Sequence, residues 1–164
     1  PDAMSIRLSA EQAAFLQGPL SINVGAVGRD GWPCVCRAQG ALVARDRRAL
    51  TVLLAAGRGR EVLAALDAGS GIAVVFSHPA THATLQLKAP CATRVAPNSA
   101  HHACHARYAA AFGGELGALG YGDELVRGLT ALTAAGDLAA LRFAPEIVFD
   151  QTPGPAAGRV LAAA

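Results

Sequence analysis

At 164 residues and 52% hydrophobic, the chain is long enough to bury a core of its own, and a formal net charge of +2 is too small for the clustered basic face that a nucleic-acid partner requires. No apolar run approaches the roughly 18 residues that span a bilayer, so no membrane partner is expected. The opening PDAMSIRLS lacks the charged and apolar regions of a secretory leader, with Met4 a candidate native start, and the four cysteines form no zinc-type CxxC pair. Reduced thiols in the cytoplasm are the expectation, and with no repeat, linker or shift of composition, residues 1–164 are expected to form one domain.

Taken in order, SAEQAAFLQG opens with Ser9 and Gln12 at capping-box spacing and closes at Gly18, which predicts a short helix. LSINVGAV alternates Leu20, Ile22, Val24 and Ala26 with Ser21, Asn23 and Gly25, the period of a half-buried strand. GRDG turns the chain into PCVCRAQGALVA (33–44), read as a second strand, and RDRRA turns it again into LTVLLAA (50–56). In GREVLAALDAG, Val62, Leu63 and Leu66 fall at helical spacing before a terminal glycine. GIAVVFS and ATLQLKAPCATRVA (83–96) predict two further strands. A helix is expected from Ser99 to about Phe112, capped by Asn98 or Ser99, then a glycine-rich break and another helical stretch around 123–135. LAALRFAPEIVFDQ closes the pattern as a strand pair, or one bent strand, interrupted at Pro145.

The fold class expected from this pattern is α+β, mainly β: six or seven antiparallel strands closed into a barrel, with peripheral helices. Within it, His101, His102, Cys104 and His105 form the densest group of potential metal ligands. On a helix His101 and His105 share a face, as do His101 and Cys104, but two ligands on one helix are half of a tetrahedral site and no other pair offers to complete it. The expectation is therefore a covering helix with exposed histidines, packed on the barrel through Ala103, Ala106 and Ala110, and no metal.

The order of strand, DGWP, strand, hairpin, strand, short helix, GIAVVF and TLQLKAP, over about residues 15–97, resembles the pyridoxamine 5'-phosphate oxidase-like family of FMN-binding split barrels, and PEIVFDQTPGPAAG is similar to the C-terminal strand and tail of some members. The resemblance implies a homodimer with FMN in a groove at the interface of the two copies. It places the flavin wall at Arg37, Ala38, Gln39 and Gly40 and at the neighbouring Leu54–Gly57, including Ala55 and Ala56. It places the phosphate at Arg58 and Arg60, with Gln86 and Lys88 alongside. The chemistry suits these places. Guanidinium forks and free backbone N–H groups hold a phosphate dianion, and a flavin ring takes an apolar wall with a few polar groups at its edge. Lys88, the single lysine, could offset charge on a reduced flavin.

FMN is implied rather than FAD, since no strand-GxGxxG-helix signature is present. The chain departs from the family pattern in two places: LLAAGRGRE has no hydroxyl residue near the phosphate, and Ala89 follows QLK where glycine is common. The arginine- and histidine-bearing C-terminal segment of the vitamin B6 oxidases has no counterpart, so that substrate is not assigned. The leading expectation is an FMN-dependent oxidoreductase acting on an unspecified small molecule, with no catalytic residue assigned; His78 and His82 fall only loosely near the implied site. The alternatives are a non-catalytic flavin-binding or cofactor-free dimeric module, and a haem-binding split barrel.

Overall fold

The capping box at Ser9 closes in both directions, with Gln12 N–H donating to Ser9 Oγ at 3.0 Å and Ser9 N–H to Gln12 Oε1 at 2.8 Å, and it opens helix α1 (Ala10–Leu16). The computed structural model describes residues 6–132, 134 and 136–164, so Met4 lies outside it. Strand β1 (Ser21–Val27) buries Ile22, Val24 and Ala26 and turns Ser21, Asn23, Gly25 and Val27 outward, as its alternation predicts. It pairs antiparallel with β2 (Pro33–Ala38), placing Arg37 opposite Asn23 and Val35 opposite Gly25.

Two segments expected as single strands, 33–44 and 83–96, each divide at a corner, and 138–151 divides at Pro145. The first gives β2 and β3 (Ala41–Val43), with Gly40 between them at φ 135°, a backbone that side-chain-bearing residues rarely adopt. The second gives β6 (Thr84–Ala89) and β7 (Thr93–Val95), separated at Pro90, which has no N–H for a ladder. The third gives β8 (Leu138–Phe143) and β9 (Ile147–Asp150). In each case the two halves join different sheets, which is how strands turn the corners of a closed structure.

The remaining elements are β4 (Leu50–Ala55), helix α2 (Arg60–Asp67), β5 (Ile72–Ser77), helices α3 (Ser99–Ala118) and α4 (Asp123–Thr130), and β10 (Arg159–Ala163). One sheet has the order β10-β9-β6-β5-β1-β2 and the other β3-β4-β8-β7. Joined at the three corners, the strands run in a ring, β1 to β2/β3 to β4 to β8/β9 to β6/β7 to β5 and back, a six-stranded antiparallel barrel. The ten strands exceed the expected six or seven because corners split the long ones and because the C-terminal tail returns as β10 on β9. The barrel interior is the core, filled by residues such as Ile22, Val24, Val52, Phe76, Leu87, Leu141 and Val148.

Two expectations about the helices are corrected. Helix α3 does not end near Phe112 but continues through Gly113 and Gly114 to Ala118. Its buried face carries Tyr108, Phe112 and Leu116, whose rings and branched chain remove far more apolar area from water than alanine methyls, and it supports two glycines. Gly113 has a use there, because a Cβ on it would stand 3.0 Å from Val126 of α4. Ala103, Ala106 and Ala110 consequently face solvent instead of the barrel. The helix expected over 123–135 stops at Thr130, where Ala131 is extended; Thr133 and Ala135 lie outside the described residues. Among the described residues no helix is long and apolar enough to cross a membrane.

Candidate functional site

Strand β4 is buried along its whole length and ends against the first corner, where Gln39 N–H donates to Leu53 O at 2.6 Å and Leu53 N–H to Gly40 O at 2.9 Å. These bonds set Gln39 beside the C-terminal half of β4, which leads through Ala56–Gly57–Arg58 into α2. Four polar groups gather there. Gln39, only 2% exposed, donates from Nε2 to Leu129 O at 3.1 Å and to Ala131 O at 3.4 Å. Arg58 Nη1 donates to Gly128 O at 2.7 Å, and Gly57 N–H donates to the Asp137 carboxylate at 2.8 Å. His105 Nε2 lies 3.0 Å from Thr130 O, and because a carbonyl only accepts, Nε2 carries the proton.

The carbonyls of residues 128–130 are among those that the end of α4 leaves without a partner inside the helix. Three side chains from three elements, the β2/β3 corner, the β4–α2 junction and α3, take them up in succession. Sequence reasoning placed Gln39 and Arg58 in the site but missed His105, Asp137 and the role of α4. Nothing in the local spacing of Asp137 marks it, since its partner Gly57 is 80 residues away.

The other expected residues divide into groups. Ala38 and Ala55 are buried in the barrel core, Ala56 is half-buried with its N–H on Asp137 O, and Gly40 backs onto Cys104, Leu53 and Tyr108. Arg60 points to solvent beside Glu61 at 3.6 Å. Gln86 and Lys88 lie on the outer face of the six-stranded sheet, where Gln86 accepts from Gln151 and Lys88 Nζ sits 5.2 Å from the Phe149 ring centroid. Their strand β6 is three inter-strand spacings of about 4.8 Å each from β2, so within one chain they do not meet Gln39 and Arg58.

Arg37 lies on the same outer face but folds toward α3. Its Nη1 donates to Ser21 Oγ at 3.3 Å and its guanidinium lies 5.5 Å from the Phe112 ring centroid, while Nε and Nη2 are buried without a hydrogen-bond partner. Phe112 stacks on Tyr108 at 5.3 Å, and Tyr108 Oη donates to Leu20 O at 2.8 Å. Burial pushes the Tyr108 phenol up to about 12 against the lowering influence of the Arg37 charge. Cys36, one strand step from Cys34, is likewise pushed up to about 11, by burial first and by Cys34 second, which makes it a packed thiol and a poor nucleophile.

The histidine and cysteine cluster is not an exposed face. His101 is 9% exposed and its Nδ1 accepts from Asn98 N–H at 3.2 Å, completing the α3 cap while Asn98 Oδ1 accepts from His101 N–H. Cys104 is buried, its thiol 3.5 Å from Ala41 O, and His105 holds Thr130; only His102 faces solvent. Each of the three inner groups is thus committed to a neighbour in the fold. Among the described residues no three His, Cys, Asp or Glu side chains are placed to share a metal ion.

The outer face of the six-stranded sheet exposes two large apolar side chains, Val27 at 53% and Val35 at 72%, and a groove of about 590 Å³ runs between Val27, Val35, Ala73 and Lys88. Trp32, 74% exposed, stands in the β1–β2 turn beside α2.

No family model and no curated protein sequence matches the chain. Solved structures do. A candidate pyridoxamine 5'-phosphate oxidase from Lactobacillus delbrueckii is 18% identical, with 87% of this chain and 93% of that one aligned at a TM-score of 0.53. The chain has the fold of the pyridoxamine 5'-phosphate oxidase-like split barrels. An F420 reductase is 13% identical, with 86% and 98% of the two chains aligned at 0.53. HupZ from group A Streptococcus is 12% identical over 92% and 99%, at 0.54. At these identities the likeness is one of fold, and it agrees with the ring of six strands closed through three corners. The split barrel in this chain therefore carries its polar cluster where strand β4 hands over to α2.

Proposed function

We propose that this split barrel works as a homodimer that takes FMN, with the phosphate at Gly57 and Arg58 beside Gln39, and that it acts as a flavin-dependent oxidoreductase on a small molecule. One observation carries the reading: four donors converge beside the end of β4, each aimed at an oxygen atom. The Gly57 N–H, the Arg58 guanidinium, the Gln39 amide and His105 Nε2–H each point at an oxygen of the chain itself. That donor set fits a phosphate, whose oxygens accept from guanidinium and backbone N–H alike. No hydroxyl side chain is needed when a backbone N–H and an arginine lie side by side.

FMN, when bound, supplies hydride or electron transfer at its N5. The chain's own contribution is position. Arg58 and Gly57 hold the anionic end, Gln39 orients from the buried corner, and the packed barrel behind Ala38 and Ala55 excludes water. Gln86 and Lys88 reach the flavin across the interface with a second copy, since they stand too far from Gln39 within one chain. The exposed Val27 and Val35 and the groove between them and Ala73 support that interface, because large apolar side chains lining a groove mark surfaces where proteins associate.

A second reading is favoured by a specific contact: Gln39 and Arg58 already bond the end of α4, which suits a cofactor-free dimeric module. The visible spectrum of freshly purified protein, with FMN released on denaturation and quantified, separates the two. About one FMN per chain supports the flavoprotein; a colourless protein that fails to take up added FMN supports the module.

A further inference from the structure

The oxygens that fill the donor cluster come from one stretch of the chain. Gly57 N–H is held by the Asp137 carboxylate at 2.8 Å and Arg58 by the Gly128 carbonyl at 2.7 Å, while Gln39 and His105 take the carbonyls of residues 129–131. Two of these are the groups a phosphate needs, and Asp137 brings the negative charge that a phosphate would bring. We infer that α4 and Asp137 are an internal ligand: the Asp137 carboxylate and the Gly128 carbonyl stand in for phosphate oxygens at Gly57 and Arg58, and an anionic ligand binds by displacing them. The position of the anion rests on the reading given above.

The attachment of α4 suits displacement. Thr130 is its one buried residue; Val126 and Leu129 are half-buried and Leu125 is 48% exposed, so little apolar area is lost when it lifts. The bonds between its C-terminal end and the wall go mostly to backbone carbonyls, which water satisfies as well once they are released. At Arg58 the exchange favours the newcomer, since an ionised oxygen makes a shorter and stronger bond to guanidinium than a neutral carbonyl does. The Asp137 carboxylate opposes it, both by holding Gly57 and by repelling a second anion at the same place. Gly113 leaves room for Val126 against α3, so α4 can move on that contact without a Cβ in its path.

The test is hydrogen exchange of α4 amides, followed by mass spectrometry, as inorganic phosphate is added at constant ionic strength to the wild type, Asp137→Asn and Arg58→Ala. Asparagine keeps an oxygen for Gly57 N–H and removes the charge, and a wild-type circular dichroism spectrum confirms that the variant folds. Phosphate is expected to raise α4 exchange several-fold in the wild type where chloride does not. Asp137→Asn is expected to reach the same exchange at roughly tenfold lower phosphate, the worth of about one charge-assisted contact, and Arg58→Ala to show no response. Unchanged α4 exchange with phosphate in both the wild type and Asp137→Asn, or identical phosphate dependence in the two, overturns the inference. Repeating the titration with FMN separates the readings: a response to phosphate without one to FMN ends the flavin proposal and leaves the internal ligand standing.

Discussion

The guanidinium of Arg58 donates to the carbonyl of Gly128 at 2.7 Å, across 70 residues of sequence. It joins the start of α2 to the end of α4, two elements that no local pattern links. With Gln39 and His105 it satisfies carbonyls that a helix terminus would otherwise leave to water. In the proposed function the same side chains hold an anion, which would make the stability of α4 and ligand binding two aspects of one set of bonds.

Replacing Gln39 with alanine removes both bonds to the α4 terminus from a position that is 2% exposed. The unpartnered Oε1 goes with it, which offsets part of the loss. A net destabilisation of about 1–2 kcal/mol is expected from urea unfolding, with faster amide exchange in α4. An unchanged urea midpoint together with unchanged exchange would show that these bonds hold nothing in place.

Gly40 turns the first corner at φ 135°, and a Cβ there would stand 3.3 Å from Cys104 Sγ and 3.5 Å from Leu53 and Tyr108. Gly40→Ala is expected to cost about 1–3 kcal/mol through backbone strain alone. Gly31→Ala, in the open β1–β2 turn at φ 83°, strains the backbone without crowding any neighbour. Gly40→Ala is expected to melt lower than Gly31→Ala, because crowding at the corner adds to its backbone strain, and Gly40→Ala melting no lower than Gly31→Ala would contradict the corner account.

The barrel was legible in the sequence because its signals are local. Alternation in residues 20–27, the Ser9–Gln12 cap and the glycine closing α2 each depend on a few neighbouring residues. Corners are less legible, since β2 and β3 read as one continuous strand and the division at Gly40 depends on which sheet each half joins. For α3 the sequence offers an alanine face, yet the Tyr–Phe–Leu face settles the packing, and that choice is made by the barrel surface it meets. The site is partly legible for the same reason. Gln39 and Arg58 are reached through the family resemblance that the order of strands carries, whereas Asp137 and the α4 carbonyls enter only through contacts between distant segments.

His101 makes stability depend on pH. Its imidazole is shifted below the usual value of 6.5, by burial first and by the neighbouring His102 second. Nδ1 must stay unprotonated to accept from Asn98. A histidine with a lowered pKa in the folded state binds protons preferentially when unfolded, so its contribution is fully present above 6.5 and is lost as pH falls through the lower folded value. Urea midpoints should therefore fall on going from neutral to mildly acidic pH. His101→Gln, which keeps a capping acceptor without a titrating group, should flatten that part of the profile; an identical profile in the variant would assign the effect elsewhere.

The second copy is expected on the outer face of the six-stranded sheet. Val35 is 72% exposed in the single chain, so Val35→Glu should alter monomer stability by no more than about 0.5 kcal/mol. Light scattering should report a dimer for the wild type and a monomer for the variant. A monomeric wild type at micromolar concentration, or a variant that stays dimeric, would remove this face from the account.

The claim on which the functional reading stands is that Arg58 holds the phosphate of FMN, and a fluorescence titration of FMN with wild type and Arg58→Ala measures it directly. Saturable binding by the wild type, weakened roughly ten- to a hundredfold in the variant, is the predicted result, as expected for the loss of one charge-assisted phosphate contact. Equal affinity in the two proteins, or no saturable binding by the wild type, would contradict it.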